Sequence, residues 1–512
     1  MSFLFNSINK VNETFRKAGS FNSDLGMMTG FTPIDVLSSN VERFWEDSEI
    51  EILNGGIFNY PETWLGLSSV GKTTLAIQVI SAAIDRWWRR YGPVSECTFY
   101  NVEGHTGPKR WQGVTGWDDQ MMQERVRFIS KPWSIIEIYN DIAIMARKKI
   151  ELKDQLEVES DCCDINGKPI KILPTTYVLI DSIASLRSKT DLQFDKEGNV
   201  KSEDSVAGTS NMDGMHNAKD NTLFINEVKK LCEEAKIHVS MINHCTEVQV
   251  TDRYNPPKPQ LPGMKFNQRV KGGVELLYQS YAVLMLSIKE RMFNEKSKVY
   301  GDAIHGLIAF MDWLKNKNGK EGVRLPMVFD SVTGYKPELT DFEILYSEGG
   351  YGIEGSPLSY KLSILPEISF TRKTLMQQCH ENPILARALS FTTRLYLINK
   401  FVLNEIPPNI KNIYDEVSPE DRIDLILRYS IDYPGYEEHG WIVDQSVYEY
   451  TLNLAEVLHR KIVENRLLHD DEFVLIRDGY YLEDETISIA QKDNVFKLGE
   501  TEFVTTNVKD WR

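Results

Sequence analysis

The chain has 512 residues, 42% of them hydrophobic and 26% charged, which suits two to four globular domains with full cores and excludes a largely disordered protein. Its net charge of −16, from 58 basic and 74 acidic residues, excludes a surface that coats nucleic acid all round but leaves room for a local groove. No uncharged apolar run approaches the ~18 residues of a membrane helix, and the opening MSFLFNSINK has no basic stretch followed by an apolar run, so no membrane partner and no secretion signal are expected.

In chain order, Leu4, Ile8, Val11 and Phe15 are spaced as one face of a short helix within residues 1–24, which either packs back on the main domain or docks on a neighbouring protomer. Residues 25–60 read as irregular structure and short strands, with a turn at Gly55–Gly56. Thr63–Leu67 is an apolar strand, and after a glycine- and serine-containing loop Thr73–Arg90 is a helix. A strand at Cys97–Val102, an amphipathic helix at Ser134–Ile150 and a buried strand at Tyr177–Asp181 follow. SDCCDINGKP reads as a hairpin tip turned at Asn166–Gly167. Thr222–Lys236 is a helix, Ile237–Ile242 a strand, Gly272–Gln279 a helix or turn, and Ala282–Ile288 a strand. Strands alternating with helices predict an α/β core whose parallel-rich sheet is covered by helices on both faces. Glu348–Gly355 is a glycine-rich boundary. Beyond it a helix over Val447–Leu468 and a hairpin over Phe473–Leu482 predict a separate α+β domain at 349–512. Residues 351–512 hold 17 Lys/Arg against 27 Asp/Glu, a net of −10, so the acidity is concentrated there. The six cysteines, Cys97, Cys162, Cys163, Cys232, Cys245 and Cys379, form no C-x-x-C pair and predict free thiols in a reducing cytoplasm.

The sharpest motif is GLSSVGKT, Gly66 to Thr73, which fits G-x-x-x-x-G-K-[ST] between a predicted strand and a predicted helix. Glycines let successive backbone N–H groups turn inward on phosphate oxygens, and the helix start adds its positive dipole end. The nucleotide-contacting set is Gly66, Ser68, Ser69, Gly71, Lys72, Thr73 and Thr74. Lys72 brings a charge to the β- and γ-phosphates, and Thr73 a hydroxyl to Mg²⁺. Asp181, closing the apolar run TYVLID, supplies the carboxylate expected near the metal, and Glu103, after the strand CTFYNV, can orient or deprotonate a water.

At these residues the chain resembles a known family. ILNGGIFNYPETWLGLSSVGKTTLAIQVISAA looks like the nucleotide-binding core of RecA-type recombinases. The likeness continues through YNVEGHTGP, VLIDSIASL, VSMINHCTE, KGGVELLYQSYAVLMLSI and DWLKNKNGK to DFEILYSEGG. It runs over about residues 27–350 and implies a RecA-like core across 25–348. His244 stands where the family's γ-phosphate-sensing residue is usually Gln, which is similar to the tailed-phage recombinases of the UvsX type and implies a host bacterial cytoplasm. The resemblance implies a DNA-dependent ATPase that uses ATP and Mg²⁺. It would form homo-oligomeric helical filaments on single-stranded DNA and pair that strand with homologous duplex DNA in recombination and DNA repair. It gives Lys72, Thr73, Asp181 and Glu103 the roles above, makes His244 the γ-phosphate sensor, and sends Lys315 and Lys317 to the ATP of the neighbouring subunit. The family's adenine-side Asp and Tyr have no match; Gly107 and Arg110 stand there, and the planar Arg110 can stack on a base. Phe15–Ala18, FRKA, is similar to a short polymerisation motif of related recombinases.

Two long polar segments, read as DNA-binding loops, interrupt the core. The first, Lys189–Asp220, is expected at DNA only from its place in the resemblance. The second, Cys245–Gly273, sets Arg253, Lys258, Lys265, Arg269 and Lys271 against Glu247 and Asp252, a net of +3 with Tyr254 and Phe266 interleaved. Cations track phosphates and rings stack on bases, so these residues, with Gly272 and Gly273 for close backbone approach, are the candidate single-strand contacts. The same core also serves a hexameric ring helicase, although such a ring would carry an Arg in the trans pair and a helical collar ahead of the core. A non-motor ATP-binding filament that organises DNA and a kinase-like phosphoryl transferase are the other readings.

Overall fold

The computed structural model describes residues 26–403, apart from 28, 44–50, 131–133, 164–168, 187–209, 250–256, 272, 294–298, 302–303 and 318; beyond these it describes residue 407 and the segments 441–443, 487–489, 495–498 and 501–504. The chain divides into two compact units, one of Asn59–Glu157 with Leu173–Glu343, the other of Met1–Phe58 with Val158–Ile172 and Ile344–Arg512.

The first unit is a mixed α/β structure around a nine-stranded sheet. Its strands are β1 (Pro61–Gly66), β2 (Cys97–Asn101), β3 (Val126–Ile129), β4 (Thr176–Asp181), β5 (Ile237–Ile242), β6 (Ala282–Arg291), β7 (Gly306–Asn316), β8 (Arg324–Asp330) and β9 (Gly334–Tyr335). Their order across the sheet is β9-β8-β7-β6-β1-β5-β4-β2-β3. From β6 through β3 all pairings are parallel, whereas β6, β7, β8 and β9 pair antiparallel. The antiparallel flank goes beyond the alternating pattern read from the sequence. The connection between β7 and β8 is too short for a crossover helix, so the chain must return as a hairpin.

The helices that matter for the site are α1 (Lys72–Tyr91), α2 (Pro108–Thr115), α3 (Asp119–Arg125), α4 (Ile135–Glu151), α5 (Ser210–Ala235) and α6 (Glu275–Gln279). Ile138, Ile142 and Ala146 of α4 and Ile225, Val228 and Cys232 of α5 bury their faces against Val178 and Ile180 of β4 and Val239 and Met241 of β5. Strand side chains alternate between faces, and Tyr177 of β4 points the other way, where its hydroxyl accepts a bond of 3.2 Å from Trp87 Nε1 of α1. Helices therefore cover both faces, as the binary pattern requires. Residues Leu75, Ile77, Ile80, Ile84 and Trp87 of α1 are buried, each contributing roughly 1.5–3 kcal/mol relative to exposure. At the start of α4, Ser134 Oγ accepts from the Glu137 N–H at 3.3 Å while Glu137 accepts from the Ser134 N–H at 2.9 Å, a reciprocal cap.

One expectation is corrected. Helix α5 begins at Ser210, so the last eleven residues of the polar segment Lys189–Asp220 are helical and not loop. The apolar residues of that stretch are only Met212, Met215 and Ala218, set beside Gly214 among polar residues, too weak a pattern to announce a helix. Positions 187–209 lie outside the described residues.

The second unit contains the helix Thr32–Leu37, whose buried Asp35 accepts from the backbone N–H of Thr29 at 2.8 Å and of Gly30 at 2.7 Å. It also holds antiparallel ladders at 40–43/51–54/441–443, 353–356/359–362/365–370 and 487–489/495–498/501–504, and the buried helix Pro383–Leu397. Val158–Cys163 and Pro169–Ile172 pair antiparallel; the turn expected at Asn166–Gly167 lies outside the described residues. So do the helix expected in residues 1–24 with Phe15–Ala18, the helix expected over 447–468 and the hairpin expected over 473–482. Cys97, Cys232, Cys245 and Cys379 are buried free thiols. Among the described residues no helix is long and apolar enough to cross a membrane.

Candidate functional site

Parallel strands bring their carboxyl ends to one edge of a sheet. Here β1, β5, β4 and β2 are consecutive neighbours, and each is followed by a residue singled out in the sequence: the 66–73 loop after β1, His244 after β5, Asp181 at the end of β4 and Glu103 after β2. The register matches Trp64 with Ile242, Met241 with Ile180 and Asp181 with Asn101, so the four ends are level.

The loop between β1 and α1 depends on two glycines. Gly66 has φ 150°, and a Cβ there would meet the Leu286 carbonyl oxygen at 2.5 Å. Gly71 has φ 89°, and a Cβ there would press on the Phe329 ring at 3.2 Å. Ser69 adopts φ 59°, a left-handed conformation that a side-chain-bearing residue takes only at a cost. No side chain caps α1 at Gly71, so the first N–H groups of the helix remain for an outside acceptor.

Lys72 is 5% exposed and lies across the loop, donating to the carbonyls of Gly66 at 3.2 Å and Leu67 at 2.7 Å. Burial lowers its pKa to about 8, against the opposing pull of Asp181, Cys245 and Glu103. Thr73 Oγ1 donates to Asp181 Oδ2 at 3.1 Å, and Thr106 Oγ1 reaches the same oxygen at 3.4 Å. Burial first, and then the neighbouring Glu103 charge, raise Asp181 to about 6. A hydroxyl and a carboxylate this close are the hard oxygen donors that suit a largely hydrated Mg²⁺. Among the described residues no three of His, Cys, Asp and Glu gather into a cage able to hold a metal unaided.

Glu103 is joined to the site through its backbone N–H, which donates to the Asp181 carbonyl at 3.0 Å. Its Oε1 accepts from Ser182 Oγ, from Ser185 Oγ at 3.0 Å and from His244 Nε2 at 2.9 Å. Burial pushes this carboxyl up, but the bonds from Ser182, His244 and Ser185 outweigh it and hold the pKa below the ordinary glutamate value. The His244 N–H donates to Asn243 Oδ1 at 2.8 Å, and Asn243 Nδ2 donates to the Lys271 carbonyl at 3.0 Å. Lys271 in turn donates its N–H to the His244 carbonyl at 3.2 Å. The imidazole on Glu103 thus belongs to the neck of the second polar segment. Ser182, Ser185, Thr106 and Asn243 were not singled out in the sequence; the clue for the two serines is only their position directly after Asp181.

That second segment is less open than its composition suggests. Cys245–Glu247 pairs antiparallel with Gln268–Val270, and Leu261 and Met264 are buried with Leu65, Val283 and Leu314. Arg269 turns onto its own backbone, donating to the carbonyls of Phe266 at 2.9 Å and Gln268 at 2.6 Å. Lys265 lies 3.9 Å from Glu247. Lys258, Lys265, Phe266 and Lys271 are exposed, and Gly273 has φ 99°. Arg253, Tyr254 and Gly272 lie outside the described residues.

Arg110 approaches Thr74, donating to its Oγ1 at 2.8 Å, but it also donates to the carbonyls of Ser331 at 2.7 Å and Val332 at 3.1 Å. The two lysines lie apart from the cluster. Lys315 is matched with Val283 and through it with Thr63, three residues before Gly66. Its ammonium caps α6, donating to the carbonyls of Tyr278, Ser280 at 2.8 Å and Leu277 at 3.4 Å. Burial, Lys317 and Lys229 lower its pKa to about 8. Lys317 Nζ stands 5.9 Å from the centre of the Tyr281 ring. The loop, Lys72, Thr73, Asp181, Glu103 and His244 therefore form one site, with Arg110 at its border and Lys315 and Lys317 outside it. In the comparisons with known proteins, no family model matches the chain and no curated protein does.

Proposed function

We propose that the chain is a DNA-dependent ATPase with a RecA-like core, acting as a recombinase that assembles on single-stranded DNA and pairs it with homologous duplex. The observation that carries this reading is the convergence, at one sheet edge, of an uncapped helix start with Lys72, the Thr73–Asp181 pair and the Glu103 carboxylate. The loop amides and Lys72 hold the triphosphate of ATP. Thr73 and Asp181 would hold Mg²⁺, which would neutralise charge on the β- and γ-phosphates when bound. Glu103 orients a water and takes its proton. The water oxygen forms a bond to the γ-phosphorus, the bond to the β–γ bridging oxygen breaks, and ADP and inorganic phosphate leave. Gly66, Ser68, Ser69, Gly71 and Thr74 line the phosphate side, and Arg110 borders the base.

His244 gives this chemistry its coupling. It touches Glu103 and is bonded through Asn243 to Lys271, so whatever alters Glu103 is felt where the basic segment joins the core. Lys258, Lys265, Phe266 and Lys271 are the described candidates for DNA contact, and the turned-in Arg269 is a weaker one. Of the pair assigned to a neighbour's ATP, Lys317 is the freer to reach out, because Lys315 is committed to the end of α6. The resemblance of His244 and its surroundings to phage recombinases supports an activity in a bacterial host's cytoplasm. Electron microscopy with single-stranded DNA and a non-hydrolysable ATP analogue tests the assembly: helical filaments support the reading, and six-membered rings favour a helicase.

A further inference from the structure

We propose that Ser185 is a positioning residue for Glu103, holding the carboxylate so that one oxygen is committed to the protein and the other is kept for the water. The inference rests on the ATPase reading above and deepens it. Ser185 closes the short 3-10 turn Ile183–Ser185 that follows β4. It is exposed, yet its hydroxyl is turned onto Glu103 Oε1 at 3.0 Å and stands 3.1 Å from Ser182 Oγ, which bonds the same oxygen. With His244 Nε2 at 2.9 Å, Oε1 has three donors, which saturates its lone pairs. Among the described residues Oε2 has no hydrogen-bond partner. A carboxylate held by one oxygen cannot rotate without breaking all three bonds, so Oε2 is the atom that accepts the proton of the attacking water.

Two of the three donors follow β4 and one follows β5. The base is thereby fixed from the adjacent strand β4 and from β5 beyond it, and Ser185 is the donor that can be removed with least effect on the fold. Orientation is what such a bond supplies: a misaligned base loses rate without loss of substrate binding.

The test compares wild type with Ser185→Ala, Ser185→Thr, Glu103→Ala and the double variant Ser185→Ala/Glu103→Ala in single-turnover ATP hydrolysis, alongside binding of a fluorescent ATP analogue. The expected result is a fall of roughly tenfold in kcat for Ser185→Ala, analogue affinity and KM within about twofold of wild type, and recovery in Ser185→Thr, which restores the hydroxyl. In the double variant Ser185→Ala has no further effect, because no carboxylate remains to be held. Wild-type turnover in Ser185→Ala overturns the proposal. So does a loss that persists in the Glu103→Ala background, or one that Ser185→Thr leaves unrepaired. Failure of the ATPase reading shows differently, as wild-type protein without Lys72-dependent hydrolysis.

Discussion

Asp181 carries a carboxylate that is 5% exposed, and burial lifts its pKa to about 6 from an ordinary 3.8. A folded-state pKa above the unfolded value means the protonated form is favoured by folding. The contribution is fully present below about pH 4 and lost as pH rises through about 6. At pH 7.5 the free protein thus holds a destabilising charge, worth about 1–3 kcal/mol. Asp181→Asn is expected to melt several degrees higher than wild type at pH 7.5 without nucleotide, the gap closing toward pH 4. An equal or lower melting temperature at pH 7.5 contradicts the electrostatic account. Glu103→Gln is expected to keep analogue binding and lose turnover by at least about 100-fold; unimpaired hydrolysis assigns the water to another group. Lys72 and Thr73 were singled out by the G-x-x-x-x-G-K-T pattern, Asp181 and Glu103 by their places at buried strand ends, and His244 by the family resemblance alone. Ser182 and Ser185 were not, since serines are common and only the folded turn aims their hydroxyls at Glu103. Nor was the use of Lys315 to cap α6, which depends on register between distant strands.

Among the elements, α1, α4, β1, β2, β4 and β5 were recognisable from their apolar patterns. Ser134 and Glu137 form the reciprocal cap that S-x-x-E signals. Ser134→Ala is expected to cost about 1 kcal/mol, read as a lower melting temperature with unchanged nucleotide affinity; no change in stability shows the cap to be dispensable. The start of α5 and the ladder Cys245–Glu247/Gln268–Val270 escaped the sequence reading. Both lie in polar stretches where neither a 3.6-residue nor a two-residue apolar period is present. The ladder has a functional consequence, because it narrows the basic segment to a neck beginning at His244. In the proposed function, a DNA strand at Lys258, Lys265 or Phe266 would act on that neck and not on a free loop.

For the whole molecule, charge is uneven, with −10 of the −16 in residues 351–512, so the proposed DNA affinity would have to come from a local basic surface and would fall steeply with salt. In the proposed assembly Lys317 is the lysine that would reach a neighbour's ATP, because Lys315 is committed to the end of α6. Lys317→Ala is expected to bind the ATP analogue as wild type does but to lose most of its DNA-stimulated turnover. Wild-type turnover in that variant removes the lysine from the shared site. The central claim is that ATP held by the 66–73 loop is hydrolysed under the control of bound single-stranded DNA. The most direct test is the steady-state ATPase rate of wild type and Lys72→Ala, each with and without single-stranded DNA. The account predicts a wild-type rate that rises on adding DNA and a Lys72→Ala rate at background in both conditions; a wild-type rate indifferent to DNA, or a Lys72→Ala rate equal to wild type, would contradict it.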